Sequence, residues 1–249
     1  MIKSALITFT TFFCITIQAQ SELKLMHNNI DEVIMKMSLK EKAHMLIGVG
    51  TFFNAKRDGI FGASGGVAGN NRFGIPLTYL ADGPSGLRIN DRQRYTKQRL
   101  PTTNYPSSIA LASTWNVEMA QLMGISIGDE CRDYGVSMIL APALNIVRFP
   151  LIGRMSEYYS EDPLLSGEIA ANYVLGVQKE GTGTSIKHFV ANNQETARKL
   201  NNVIISERAL REIYMKGFEY TVKTARPWAV MSSYNKINGV YTSQNPWLL

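Results

Sequence analysis

A lysine and a histidine stand side by side at Lys187 and His188, inside the apolar part of "SIKHFVANNQE", residues 185–195. Strands buried in parallel sheets read as near-continuous hydrophobic runs. A charged pair there costs free energy unless a partner or a ligand compensates it. Neighbouring side chains on a regular strand point to opposite faces, so both residues reach one pocket only where the strand ends or bulges. The polar run "ANNQE" that follows marks such an end. A cationic lysine beside a neutral histidine can then serve several oxygens at once. The rival reading is a lysine paired with a buried carboxylate and a histidine satisfied by a carbonyl.

Other candidates occupy similar positions. Asp82 lies in "ADGPSGLR", where Gly83 and Pro84 force a turn directly after an apolar run; aspartate is also a common turn residue. Arg88 follows closely enough to share a site with Asp82 or to hold it. Arg154, in "FPLIGRMSEYYSEDP", carries a fork that fits vicinal oxygens or a carboxylate. Glu157 is near enough to be its structural partner, whereas Glu161 and Asp162 suit the following helix N-terminus. Arg198 falls in a loop after the third apolar run. Met231 and Tyr234 end a fourth, where a thioether and an aromatic could wall a pocket or pack in the core.

An aspartate, several arginines, a lysine, a histidine and flanking aromatics offer many short, directional donors and acceptors. That set suits a polyhydroxylated ring such as a sugar. A phosphate would call for Gly-rich backbone at a helix start, and "GIFGASGGVAGNNRFG" lacks the GxGxxG spacing, so a loop is expected there. No metal is expected: His27, His44 and His188 show no HxH or HExxH spacing, and there is no CxxC.

These residues need a scaffold. Four apolar runs end in polar residues: residues 75–82, 136–146, 184–192 and 227–235. Helical patterns separate them. One follows Asn116; another has Asp162 as N-cap, Pro163 in its first turn and Gly181 beyond its end. A third starts at Ser206 with an apolar face through Leu210, Ile213, Tyr214, Gly217 and Phe218. Ahead of all of these, Ser38 and Glu41 form a capping box, with Gly48 and Gly50 as possible stops. Strand–helix alternation implies a parallel sheet with right-handed crossovers. Ligands of such sheets sit at the C-terminal strand ends, where all four runs place their polar residues. The final "SQNPWLL" offers Asn245 and Pro246 as a helix start. One isolated turn is unstable, so Leu249 is not expected to be a natural domain end.

Composition sets the outer bounds. The 249 residues are 45% hydrophobic and 18% charged, which suits a globular core. Residues 1–19 resemble a cleaved signal peptide, with Lys3, an apolar stretch from Ala5 to Ile17 and a cut after Ala19. A secreted or periplasmic location follows, with no membrane span in the mature chain. Thr11, Phe12 and Phe13 before Cys14 are bulkier than a lipidation site takes, so a lipoprotein is the less favoured reading. The mature chain then holds Cys131 alone, as a packed side chain rather than a nucleophile. The net charge of +6 comes with a basic stretch, Asp91–Arg99, that matches no nucleic-acid motif and reads as a solvated loop.

Several of these segments, "LADGPSGLR", "APALNIVRFPLIGR", "EYYSEDPLLSG", "IKHFVANNQE", "ERALREIYMKGFEYTVK", "PWAVMSSYNKING" and "SQNPWLL", together resemble the N-terminal catalytic domain of family 3 glycoside hydrolases, in its β-glucosidase-like branch. The resemblance covers about residues 31 to 249. It implies an α/β fold: a TIM-type (β/α) barrel, incomplete here at about its first half to two-thirds, spanning residues 20–249. Further C-terminal domains of the same gene product would follow. It implies exo-acting, retaining hydrolysis of terminal β-linked sugars of oligosaccharides, with no cofactor. Asp82, Arg88, Arg154, Lys187, His188 and Arg198 fall on positions around the terminal sugar's hydroxyls. Met231 and Tyr234 fall near the reaction centre, and Gln194 and Glu195 on a more structural signature. Met155 and Ser156 depart from the Asn-Phe frequent after the Gly-Arg pair. The family's nucleophile sits in a Ser-Asp-Trp motif absent from this sequence, and its acid/base glutamate comes from the second domain. No catalytic carboxylate is therefore expected among these residues. Val190 and Ala191 replace the Pro-Gly that follows Lys-His-Phe in the N-acetylglucosaminidase branch. Two alternatives stay open: a non-catalytic sugar-binding fragment, and a barrel aldolase using Lys187 as a Schiff base.

Overall fold

The computed structural model describes residues 23–50, 63–89 and 101–249. The signal-like residues 1–19, the basic stretch Asp91–Arg99 and the first residues of the Gly-rich stretch lie outside the described residues.

The first elements are α1, Ile30–Lys36, and α2, Leu39–Met45. The capping box forms as expected: Ser38 Oγ accepts from the Glu41 backbone N–H at 3.2 Å, and the Glu41 carboxylate accepts from the Ser38 N–H at 2.7 Å. The helix stops at Leu46, before the glycines read as its end.

The Gly-rich stretch is not only a loop. Gly65–Val67 forms β1, antiparallel to β2, Thr78–Asp82. A Cβ on Gly69 would lie 2.4 Å from the Ile75 carbonyl oxygen, so only glycine lets the two backbones cross so closely. Glycines carry no side-chain alternation, which hid the strand from pattern reading.

The helices α3, Ser108–Ala112, and α4, Val117–Asp133, lead to β3, Met138–Leu140. Next come α5, Pro163–Lys179, and β4, Gly183–Phe189. The cap of α5 is as expected, with Asp162 Oδ1 accepting from the N–H groups of Leu164 at 2.7 Å and Leu165 at 2.9 Å. After β5, Asn202–Val203, the chain forms α6, Glu207–Ala209, a π-turn over Leu210–Tyr214, and α7, Lys216–Ala225. The π-turn bonds Met215 N–H to the Leu210 carbonyl at 2.8 Å. Its extra residue breaks the 3.6 period, so Leu210, Tyr214, Gly217 and Phe218 are buried while Ile213 turns outward, 40% exposed. That corrects the apolar face read from regular spacing. Next come β6, Ala229–Ser232, β7, Lys236–Ile237, and β8, Val240–Tyr241, followed by a 3-10 turn over Thr242–Gln244.

The main sheet runs β1-β2-β3-β4-β6, parallel from β2 onward and in sequence order. Helices cross over between successive strands, which is the pattern of a TIM-type barrel left open. A second sheet pairs β5, β7 and β8. Beneath the main sheet Ile139, Ile186, Ile127, Val174 and Tyr173 are fully buried. The helices α4 and α5 meet backbone to backbone. A Cβ on Gly176 would sit 2.2 Å from the Gln121 carbonyl, and one on Gly124 2.3 Å from that of Tyr173. Cys131 is buried in this packing, which pushes its thiol up to about 12, in keeping with a packed side chain.

Candidate functional site

Each candidate side chain is delivered by the end of a parallel strand or the loop after it. β2 ends at Asp82, and the chain turns back through Gly83, where φ is +144° and a Cβ would lie 1.9 Å from the Gly86 carbonyl. The return brings the Arg88 N–H to the Asp82 carbonyl at 2.8 Å. Across the sheet, Lys187 Nζ donates to Asp82 Oδ1 at 2.6 Å, and Arg88 Nη1 stands 3.7 Å from Oδ2. The lysine side chain is 4% exposed and the aspartate 31%. Burial alone would raise the Asp82 carboxyl, but the Lys187 charge and hydrogen bond, the Gly83 N–H and Arg88 outweigh it and hold it below the usual carboxylate range. The aspartate is thus the buried lysine's carboxylate, and it also lies on a cavity wall. Of the two readings of Lys187, the structure shows the pairing with a carboxylate.

The register of β4 against β6 breaks between Lys187 and Phe189, a bulge at the adjacent pair, although neither side chain lines the cavity. The Lys187–His188 and Phe189–Val190 peptide bonds are cis. Asn145, at the end of the second apolar run, clamps this point. Its Oδ1 accepts from the His188 N–H at 3.0 Å, its Nδ2 donates to the His188 carbonyl at 2.9 Å, and His188 Nδ1 lies 3.3 Å from the same Oδ1. The ring meets Tyr158 edge-on at 6.5 Å. Burial, then the charges of Arg154, Lys187 and Arg198, push the imidazole down to about 2, so it stays neutral.

Arg154 and Arg198 complete the wall. Arg154 Nε donates to Glu157, the partner expected for it, and Nη1 lies 3.8 Å from Glu195 Oε1. Arg198 Nη1 donates to Glu195 Oε2 at 2.9 Å, and its guanidinium lies over the Tyr234 ring at 4.9 Å. The resulting open cavity has a volume of about 830 Å³ and is walled in part by Asp82, Arg88, Thr103, Arg154, Glu195 and Arg198.

Four of the eight candidates, Asp82, Arg88, Arg154 and Arg198, therefore face one cavity. Lys187 joins them through Asp82, and His188 packs against Tyr158 and Asn145, off the cavity wall. Met231 is half-buried opposite Lys187 in the sheet register, and Tyr234 supports Arg198 from outside the wall. Asn145 was legible as the polar end of the second run and Glu195 as a structural residue, but not the clamp on His188 or the place between two arginines, and Tyr158 beside the histidine ring went unrecognised. Only Glu195 carried a local signal of its pairing, the three-residue spacing to Arg198. Among the described residues no cluster of three or more His, Cys, Asp or Glu could hold a metal ion, and no helix is long and apolar enough to cross a membrane.

The model of the glycosyl hydrolase family 3 N terminal domain matches residues 24–249. The chain is 43% identical over 227 residues to thermostable beta-glucosidase B of Acetivibrio thermocellus, covering 89% of this chain and 28% of that protein. It is 48% identical over 180 residues to an exo-alpha-(1->6)-L-arabinopyranosidase of Bifidobacterium longum, covering 71% and 24%. Among solved structures, beta-glucosidase 3B from Thermotoga neapolitana in complex with glucose superposes with a TM-score of 0.83 at 51% identity, over 88% of this chain and 31% of that one. The chain spans about a quarter to a third of the length of these relatives.

Proposed function

Because this chain belongs to glycosyl hydrolase family 3, as part of its N-terminal domain, we propose that its cavity receives the terminal pyranose of a β-linked glycoside, such as a β-glucoside. The observation that carries this reading is Asp82, held from behind by Lys187 at 2.6 Å, on the same wall as Arg88, Arg154 and Arg198. Charged donors and an ionised acceptor in fixed positions suit the alternating hydroxyls of a sugar ring, since hydrogen bonds to charged groups are the stronger ones. A solved relative carries glucose in its complex, which supports glucose as the probe.

The whole gene product would act as an exo-acting, retaining glycosidase, with two carboxyl groups about 5–5.5 Å apart. We assign neither to this chain. Asp82 is bound by Lys187 and Arg88, Glu157 by Arg154, and Glu195 by Arg154 and Arg198. The resemblance puts the nucleophile in a Ser-Asp-Trp motif that this sequence lacks, and the ion pairs suit these three carboxylates to holding the wall. This chain then binds and orients the sugar, while the nucleophile and the acid/base group come from further residues of the gene product. The aldolase alternative loses ground on the same geometry: Lys187 Nζ is engaged by Asp82 at 2.6 Å and does not line the cavity. Residues 1–19 would direct export to a secreted or periplasmic location.

The test pairs the gene product as encoded with the 249-residue chain. The former should hydrolyse an aryl β-glucoside and be inhibited by glucose, with Asp82→Ala lowering kcat/KM at least a hundredfold. The latter should show no turnover. Absence of both hydrolysis and glucose binding in the gene product sinks the sugar reading. Turnover by the 249-residue chain sinks the assignment of the catalytic carboxylates elsewhere.

A further inference from the structure

We propose that Glu195 is a positioning residue whose carboxylate sets Arg154 and Arg198 at the spacing with which they meet the sugar's hydroxyls. This rests on the sugar-site reading above and assigns a device within it. Glu195 divides its two oxygens between the arginines: Oε2 takes Arg198 Nη1 at 2.9 Å, and Oε1 faces Arg154 Nη1 at 3.8 Å. The second contact is an ion pair without a hydrogen bond. Oε1 is fixed in turn by Asn192 Nδ2 at 3.2 Å.

The stem of Glu195 is docked as well. A Cβ on Gly153 would lie 3.1 Å from Glu195 Cβ and Cγ, with φ at +26°. Glycine at this position lets Glu195 press against the backbone that carries Arg154. One side chain thereby joins the loop after β3 to the loop after β4.

The remaining contacts show what this joining controls. Glu157 takes Arg154 Nε, Glu195 faces Nη1, and no described residue accepts from Nη2. Arg198 rests one face on Tyr234 and gives Nη1 to Glu195. Two guanidinium groups on one cavity wall repel each other, and Glu195 is the only described carboxylate shared between them. Without its charge the arginines are free to part, and the wall keeps its residues but loses its spacing.

A double-mutant cycle on glucose affinity tests this, using calorimetry on the gene product as encoded. The proteins are wild type, Glu195→Gln, Arg154→Lys and the double variant, with the thermal midpoint of each recorded. Glu195→Gln should weaken glucose binding about tenfold, the loss expected for one charge-assisted hydrogen bond. In the Arg154→Lys background the same change should cost less than about threefold, because residues acting through one another are not additive. Should Glu195→Gln fail to fold, Glu195→Asp replaces it; it keeps the charge but withdraws it by one methylene, and the same loss is expected. Equal losses in both backgrounds, or wild-type affinity in the single variant, overturn the proposal and leave the sugar site standing. A wild-type protein with no glucose affinity overturns the site reading and this inference with it.

Discussion

Asp82→Asn isolates the contribution of one charge. Lys187 is 3% exposed as a residue, and Asp82 Oδ1 is its carboxylate partner at 2.6 Å. Asparagine keeps the size and an acceptor oxygen but leaves the ammonium buried without a counter-ion. Breaking a buried pair from one side costs roughly 3–5 kcal/mol. The aspartate side chain is 31% exposed, so solvent softens the loss, and about 3 kcal/mol is the better figure. In a chain of this size each kcal/mol moves the melting temperature by roughly 2–4 °C, which gives a drop of roughly 6–12 °C at pH 7. The pH dependence carries a second signature. The Asp82 carboxyl is depressed in the folded state, so its contribution is complete above the unfolded value of about 3.9 and is lost as pH falls through the lower folded value. The gap between the two proteins should stay constant from pH 7 to 5 and begin to narrow below pH 4. Acid destabilisation from His188 is common to both proteins and cancels in the difference. Circular dichroism melts from pH 3 to 8 measure it. A variant melting within about 2 °C of wild type at pH 7, or a gap that does not begin to narrow as pH falls below 4, refutes the claim that this pair holds the wall.

Gly176→Ala tests the contact between α4 and α5. Alanine in a helix interior normally gains about 1 kcal/mol over glycine, but here its Cβ would sit 2.2 Å from the Gln121 carbonyl oxygen, so the helices must separate. A net loss of roughly 1–3 kcal/mol in urea unfolding is expected, and a gain in stability would contradict the packing. His188 should remain neutral from pH 4 to 8, with no ring titration by nuclear magnetic resonance. Its lowered folded value means that only the unfolded chain takes up the proton below about 6.5. Stability therefore falls as pH drops through that point, and His188→Gln should remove that part of the fall.

Much of the framework was legible residue by residue. Ser38 with Glu41, and Asp162 with Pro163, mark helix starts because their side chains satisfy neighbouring backbone donors within three residues. The four apolar runs became β2, β3, β4 and β6, and the run of β4, buried along nearly its whole length, is the one that had to be apolar throughout. The structure shortened each of them, since pairing ends where a neighbouring strand ends, and that is a property of two segments. β1 was missed because glycines show no alternation. Ile213 was misplaced because a π-turn shifts the period without changing composition. The short β5, β7 and β8 pair only two residues each, too few to show a pattern.

The sequence by itself determined which side chains were available and that they would gather at one rim, because strand polarity in a parallel sheet puts every C-terminal end on the same side. Only the tertiary structure decided who holds whom. Lys187 and Asp82 are 105 residues apart in the chain, and no local rule assigns one to the other. Glu195 was visible as a neighbour of Arg198 but not as the bridge to Arg154, 41 positions earlier. Interactions within a turn of helix or hairpin are set by short-range geometry, whereas ion pairs across a sheet exist only once the register of the strands is fixed.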